Sequence, residues 1–325
     1  MIAADSSMIE ASAADVALKF IDELEKEIDG WDARVVGSVL NALAQWGRAE
    51  EAHALLSRAM GFEIAIAASD ASNESVKSSG INSLNPADAT PCYDSLLRAY
   101  AKCALLLADK KKSKRPSKNS SSNTRNASAT EALARARYIL LNHMPAEGMQ
   151  ITNHTCNAVL SGYAALGMGT EAEKLLQEIE TLLSQSSSQL SALDTACYNS
   201  VLHGFSRERN GVSSAERLFK AMAEQNSLHK ATSSITILPP LPDTITYASM
   251  LNCYSINRMG EEAYSLVQQI ERPTSACYLS AIRALERSND TTSPDRVLSL
   301  IDQIEQSGSG KGPSTALNRR LFNAA

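Results

Sequence analysis

Internal repetition is what most constrains this chain. Residues 153–179, NHTCNAVLSGYAALGMGTEAEKLLQEI, read as two short helices joined by a tight turn. Cys156, Val159, Leu160 and Tyr163 recur at steps of three and four, which places them on one helix face. Gly167 and Gly169 interrupt the pattern, Thr170 is placed to cap the next start, and Glu171 suits its first turn. Ala172, Leu175, Leu176 and Ile179 then form a second stripe. Neither helix can bury its stripe alone, so such a hairpin requires neighbours of its own kind.

Those neighbours are present. Laying Gly167 and Ala172 over Gly47 and Ala52 aligns VVGSVLNALAQWGRAEEAHALL with TCNAVLSGYAALGMGTEAEKLL almost element for element. Fifteen residues separate Gly37 from Ala52, Asn157 from Ala172 and Ala248 from Ala263, and sixteen separate Asn199 from Ala215. Each second helix places an apolar residue seven positions on, as in Ala172 to Ile179, Ala215 to Met222, Ala263 to Ile270 and Val297 to Ile304. Aromatic residues make up only 5% of the 325, which suits small hairpins packed through Ala and Leu better than one deep core. The chain is therefore expected to be all-α.

Composition removes several function classes. A formal net charge of -5 and a pI of about 5.7 argue against a strongly basic nucleic-acid binder, though not against a local basic surface. No apolar run reaches the roughly 18 residues that a membrane helix needs. Cys92, Cys103, Cys156, Cys197, Cys253 and Cys277 form no Cys-x-x-Cys pair, and all fall on first helices of hairpins, so they read as buried thiols in a reducing compartment. His53, His143, His154, His203 and His229 share no metal-ligand spacing, and no nucleophile elbow or phosphate loop occurs. Glu50, Glu51, Glu171, Glu261 and Glu262 sit at second-helix starts, where the helix dipole favours them. The reading is of no enzyme, no cofactor, no metal site and no membrane segment. The N-terminus carries Asp5, Glu10 and Asp15 before its first Lys or Arg, unlike a transit peptide.

Inserts of differing character separate the hairpins: residues 61–88, 109–130, 181–192 and 226–242 are expected to be flexible. The second holds the basic run Lys110 to Lys118, either a solvated loop, an electrostatic RNA tether or a nuclear signal. The third could extend the helix before it. The fourth ends in ILPPLP, Ile237 to Pro242, a stiff extended spacer. Inserts on one edge of a helical stack leave the stack intact.

Two-helix units of roughly 35 residues with these marks resemble pentatricopeptide repeats, relatives of the tetratricopeptide array. The marks are Cys92-Tyr93, Cys197-Tyr198, Thr246-Tyr247 and Cys277-Tyr278 opening first helices, GRAEEA at 47–52 and GEEA at 260–263 opening second helices, and Pro242-Asp243 or Pro273-Thr274 closing units. The junction GMQITNHTCN at 148–157 is similar, with Ile151-Thr152 in place of Pro-Asp. The resemblance covers residues 13–323 apart from the inserts, after a disordered start at 1–12. It divides the chain into units at 33–60, 90–152, 153–194, 195–243, 244–274 and 275–314, with partial units at 13–32 and 315–323. The fold it implies is a right-handed superhelical solenoid of helix–turn–helix repeats, first helices inside and second helices outside.

The resemblance also implies sequence-selective binding of single-stranded RNA, one base per repeat. Its reading pair is the residue after the opening aromatic and the last residue before the next repeat. Carried over, that gives Asn157 with Asp194 and Asn199 with Asp243, the combination the family uses mainly for uracil, so two adjacent units imply a UU preference. An amide offers both donor and acceptor to a base edge, and a carboxylate can orient it. The base-packing positions are His154, Ala196 and Ile245. Lys102, Arg207 and Arg287, nine residues after the aromatics Tyr93, Tyr198 and Tyr278, are the phosphate-contacting candidates. Gly37/Ala89, Asp94/Thr152, Ala248/Thr274 and Leu279/Ser314 depart from any good reading pair. With two competent units at about 1–3 kcal/mol per base, micromolar or weaker binding is expected.

The function expected is thus a monomeric RNA-binding adaptor for organellar RNA processing, stability or translation, with a processing enzyme or ribosomal partner supplying any chemistry. Mitochondrial or plastid location follows from the resemblance, against the acidic N-terminus, and the cytoplasm is the other choice. The alternative is a tetratricopeptide-like protein–protein interaction scaffold without RNA binding, which the degenerate pairs and the net acidity favour.

Overall fold

A computed structural model describes residues 15–19, 21–23, 31–66, 84–109, 122–185, 193–208, 210–224, 239–288 and 293–307. The expected disordered start at 1–12, the basic run Lys110 to Lys118, Ser314 and the partial unit at 315–323 lie outside these residues, as do most of the inserts. Every regular element among the described residues is helical. The chain forms two compact units: residues 1–166 with 177–191, and 167–176 with 192–325.

The first unit holds α1 (Ala33–Trp46), α2 (Ala49–Met60), α3 (Pro86–Asp109), α4 (Ser122–Tyr138), a π-turn at Ile139–His143, the short α5 (Met144–Ala146), α6 (Asn153–Ala165) and the later part of α7 (Gly169–Gln185). The first helices of successive hairpins pack side by side, α1 on α3 and α3 on α6, while α2 covers α1 and α3 and α4 covers α3 and α6. This is the packing of a helical-repeat solenoid.

Local chemistry explains the elements. Asp32 caps α1 by accepting from the Arg34 N–H at 2.7 Å, and Val36, Val39, Leu40 and Leu43 form its buried stripe. Gly47 ends α1 in the left-handed region at φ 65, and a Cβ there would stand 2.9 Å from the Cys103 backbone nitrogen, so both conformation and space require glycine. Thr152 and Thr155 form a reciprocal capping box at the start of α6. Between the layers, the Tyr93 hydroxyl meets His143 Nε2 at 3.0 Å and the Tyr100 hydroxyl meets His53 Nδ1 at 3.1 Å.

The second unit repeats the scheme with α8 (Thr195–Arg207), α9 (Val212–Ala223), α10 (Thr244–Asn257), α11 (Gly260–Gln269), α12 (Ser275–Ser288) and α13 (Ser293–Ser307), preceded by residues 169–176 of α7. First helices α8, α10 and α12 pack in succession, with α9 on α8 and α10, α11 on α10 and α12, and α13 on α12. Asp194 caps α8 through the Cys197 N–H at 3.1 Å, and Asp243 caps α10.

Charged rungs join second helices of neighbouring hairpins: Arg135 to Glu50 at 2.6 Å and Arg137 to Glu178 at 2.5 Å in the first unit, and Arg217 to Glu173 at 2.7 Å and Arg296 to Glu261 in the second. Such exposed pairs contribute about 0.2–1 kcal/mol each, against about 1.5–3 kcal/mol for each large apolar side chain buried. The stripes, not the rungs, decide the packing.

Several expectations are corrected. Helix α3 starts at Pro86 and runs through Pro91, so Ala89 is a fully buried helical residue and not an exposed residue at a unit junction. Residues 122–130 of the expected second insert are helical, as α4 reaches back to Ser122. Residues 181–185 extend α7, burying Leu183, so that part of the third insert is a helix. Thr170 lies within α7 and does not cap it; its N–H and hydroxyl donate to the Glu208 carboxylate at 2.7 and 2.8 Å. In the partial unit at 13–32, residues 15–19 and 21–23 are helical, Ile21 is buried, and Asp15 and Asp22 pair with Arg48 and Arg58.

Candidate nucleic-acid interface

In the second unit, Asn199 sits one place after Tyr198 on α8 and is only 7% exposed. Its Nδ2 donates to Asp243 Oδ1 at 3.2 Å, and the same oxygen accepts from the Thr246 N–H at 2.7 Å and the Thr246 hydroxyl at 2.8 Å. Burial opposes ionisation of Asp243, but the bonds from Thr246, Asn199 and the Ile245 backbone outweigh it and hold the carboxyl below its usual range. An ionised carboxylate only accepts, so the amide nitrogen must face it and Asn199 Oδ1 must turn away. That oxygen is shielded from solvent and has no hydrogen-bond partner. An orphaned acceptor of this kind costs about 1–3 kcal/mol, which a donor-bearing ligand recovers.

The other expected readers are placed individually. Asn157 lies half-buried on α6 in the first unit, and Asp194 is the exposed cap of α8 in the second. His154, Ala196 and Ile245 are each exposed at the second residue of their helices; Ile245 exposes 63% of its surface, a large apolar side chain kept in water. Ala248 and Leu279 are half-buried, and Thr274 caps α12, accepting from the Cys277 N–H at 3.4 Å.

Of the three expected phosphate-binding cations, Lys102 and Arg207 are exposed on α3 and α8. Arg287 is exposed too, but its Nη1 donates to the Ser255 carbonyl near the end of α10 at 3.3 Å, so part of its charge serves that helix terminus. Sequence reasoning missed Arg98, one turn before Lys102. It lines two open cavities of the first unit, one of about 890 Å3 along α1 and the start of α3, the other of about 390 Å3 reaching Lys102 and Ser161. Asn41 also lines both. The spacing of Arg98 and Lys102 at i and i+4 was the available signal.

Asp94 lies on the wall of the larger cavity. Burial pushes its carboxyl above the usual range, against His154, Arg98 and the Thr152 side chain, and Oδ1 is shielded and without a hydrogen-bond partner. The thiols offer no chemistry here: Cys92, Cys156, Cys197, Cys253 and Cys277 are buried and free, and burial pushes Cys92 and Cys253 up to about 11. Among the described residues no His, Cys, Asp or Glu cluster could hold a metal ion, and no helix is long and apolar enough to cross a membrane.

Comparison with known proteins follows this geometry. The family model of the PPR repeat matches residues 154–182 and 245–272, one stretch in each of the two hairpins built by α6–α7 and α10–α11. None of the curated proteins compared with the chain matches it. Among solved structures, the pentatricopeptide repeat protein PPR10 from maize aligns at 16% identity and a TM-score of 0.36, covering 96% of this chain and 43% of that one. The same protein in complex with an 18-nt psaJ RNA element aligns at 17% identity and a TM-score of 0.35, covering 90% and 43%. The chain thus spans less than half the length of these structures.

Proposed function

The chain is a pentatricopeptide repeat protein, and from that premise we propose that it is a sequence-selective single-stranded RNA-binding adaptor in organellar RNA processing, stability or translation. The observation that carries the reading is the amide of Asn199, pinned through Nδ2 by Asp243 with Oδ1 left as an unpartnered acceptor. An acceptor fixed in that sense matches the N3–H of uracil, whereas the corresponding ring nitrogen of cytosine or adenine is itself an acceptor. Ile245 supplies an apolar face for the base, and Arg207 a cation for the strand. Asn157 and Asp194 carry the same residue types at the same repeat register, which supports a second uracil and a UU preference. A processing enzyme or the ribosome would supply the chemistry, and a mitochondrial or plastid setting follows from the family.

Fluorescence anisotropy with labelled oligo-U, oligo-A and double-stranded RNA, at low and moderate salt, tests this. Oligo-U is expected to bind tightest, with Asn199→Ala losing about 1–3 kcal/mol on oligo-U and little on oligo-A. Equal, salt-sensitive binding to all three ligands would remove base reading and leave only phosphate attraction. Absence of binding at low salt would favour a protein-binding scaffold.

A further inference from the structure

Gly37 occupies, in the first hairpin, the register that Asn157 and Asn199 hold in later ones, fifteen or sixteen residues before the small residue of the second helix. It lies in the middle of α1, where glycine is among the poorest helix formers. Other glycines here have a steric reason: a Cβ would come within 2.9 Å of Cys103 at Gly47, 2.5 Å of Phe205 at Gly169 and 2.7 Å of Ser288 at Gly260. At Gly37 the nearest atom is Cys92 Sγ at 3.8 Å, an ordinary contact. Packing therefore does not demand this glycine. What it does is leave open the cavity of about 890 Å3 that it lines.

The walls of that cavity have a definite chemistry. Trp31 gives a flat aromatic surface, Arg34 and Arg98 give cations, Asn41 an amide and Asp94 a carboxylate. Asp94 Oδ1 is buried without a hydrogen bond, and a charged oxygen in that state costs more than a neutral one. A turn about its terminal torsion, which is soft, brings that oxygen to the wall the side chain already forms. A carboxylate is best satisfied by two adjacent N–H donors. Among the four RNA bases, guanine alone presents two on one edge beside each other, at N1 and the 2-amino group, while its O6 and N7 accept from arginine.

We propose that this cavity is a guanine site, with Asp94 accepting from N1–H and the 2-amino group, Trp31 against the base face, and Arg34 and Arg98 answering the acceptor edge or the adjoining phosphate. The base is supplied by an RNA strand or by a free guanine nucleotide, which share this chemistry. The strand version rests on the RNA-binding reading above; the nucleotide version does not.

The full chain is titrated with oligo-U, with the same strand carrying one guanine, adenine or inosine, and with free GMP, alongside Gly37→Leu and Asp94→Asn. Gly37→Leu puts a side chain into the cavity without a packing clash, and circular dichroism checks that it folds. One guanine is expected to tighten binding about tenfold over adenine, inosine to recover only part of that gain, and both variants to abolish it while leaving oligo-U affinity unchanged. GMP competing at the guanine strand would place the site's specificity in the base itself; a gain seen only within the strand would assign it to RNA. Equal affinity for guanine and adenine strands with no GMP binding, or a guanine preference that survives both variants, overturns the proposal. If oligo-U binds while guanine adds nothing, the cavity inference fails alone. If GMP binds while no strand does, the guanine site stands and the RNA reading fails. Should Gly37→Leu misfold, Asp94→Asn decides by the same criterion.

Discussion

At one repeat register the two units of this protein hold opposite things. In the second unit the place is filled by Asn199, an amide fixed by Asp243 from the next hairpin's threshold. In the first unit it is empty of side chain at Gly37, and a large cavity opens against Asp94 and Arg98. A repeat scaffold fixes where a recognition element stands, because caps and stripes set the helix positions. It does not fix whether recognition is made by a projecting side chain or by a hole with a charged wall. The contrast also separates two kinds of glycine, those that packing requires and one that it does not.

Glycine substitution gives the largest expected effect and the most direct way to break the comparison. In the second unit, Gly169→Ala would press a Cβ toward the Phe205 backbone nitrogen at 2.5 Å, and a loss of about 1–3 kcal/mol is expected from overpacking. In the first unit, Gly37→Ala should gain up to about 1 kcal/mol from helix propensity. Urea unfolding of the two variants measures both. A loss at Gly37 comparable to that at Gly169 would show that its glycine is structural and would close the distinction.

Much of this was legible in the sequence, for physical reasons. The stripes of α1, α2, α6 and α10, the Gly47 turn and the caps at Thr152, Asp194 and Asp243 are local signals, and local signals are what a sequence displays. Helix α3 was less so, since Pro91 reads as a boundary, and only the burial of Ala89 and Tyr93 among neighbouring helices explains why the helix runs through it. The polar start of α4 has no apolar period of its own; it is helical in continuity with a segment whose Ala132, Leu133 and Ala136 are packed. The Asn199–Asp243 contact was inferred by resemblance and joins residues 44 apart. The cavity could not be read at all, because it is made by what Gly37 lacks. Arg287 shows the reverse: its pattern suggested a phosphate ligand, whereas the carbonyl it meets on α10 is a tertiary fact.

The two regions should also part on acidification. His143 in the first unit has its pKa lowered by burial, with His53 adding to that and Glu147 opposing it. The unfolded chain therefore takes up a proton that the folded unit resists, so stability is full above an unfolded pKa of about 6.5 and falls as pH drops through it toward the folded value. Asp243 in the second unit is depressed, so its contribution is present above an unfolded value of about 3.9 and is lost only as pH falls further, through the folded pKa. His203 on α8, lowered by burial and by Arg207, would blur the contrast and should be replaced by Gln in the background. Hydrogen exchange between pH 7 and pH 3 is expected to show protection falling first around Tyr93 and α4 and later around α10, with His143→Phe removing the first step and Asp243→Asn the second. Simultaneous loss in both regions in each variant would mean that other groups govern the acid transition.

The smallest effect concerns the rungs that both units share. Arg135 in the first unit bonds Glu50 and Glu131 and is only partly exposed, while Arg217 in the second meets Glu173 from a more exposed position. Each pair should be worth about 0.2–1 kcal/mol at low salt, with Arg135 toward the upper end because two carboxylates hold it. Replacement by Met keeps most of the apolar stem and removes the charge, so the loss measured by urea unfolding reports the ion pair more than the packing. Salt screens exposed pairs, and the difference between wild type and Arg217→Met should shrink as ionic strength rises past the point where the Debye length is about 8 Å. A loss at Arg135 that resists salt would mean that its partial burial matters more than its exposure. The rungs of the first unit would then hold the hairpins that frame the open cavity, a demand that the second unit, with Asn199 filling the same register, does not make.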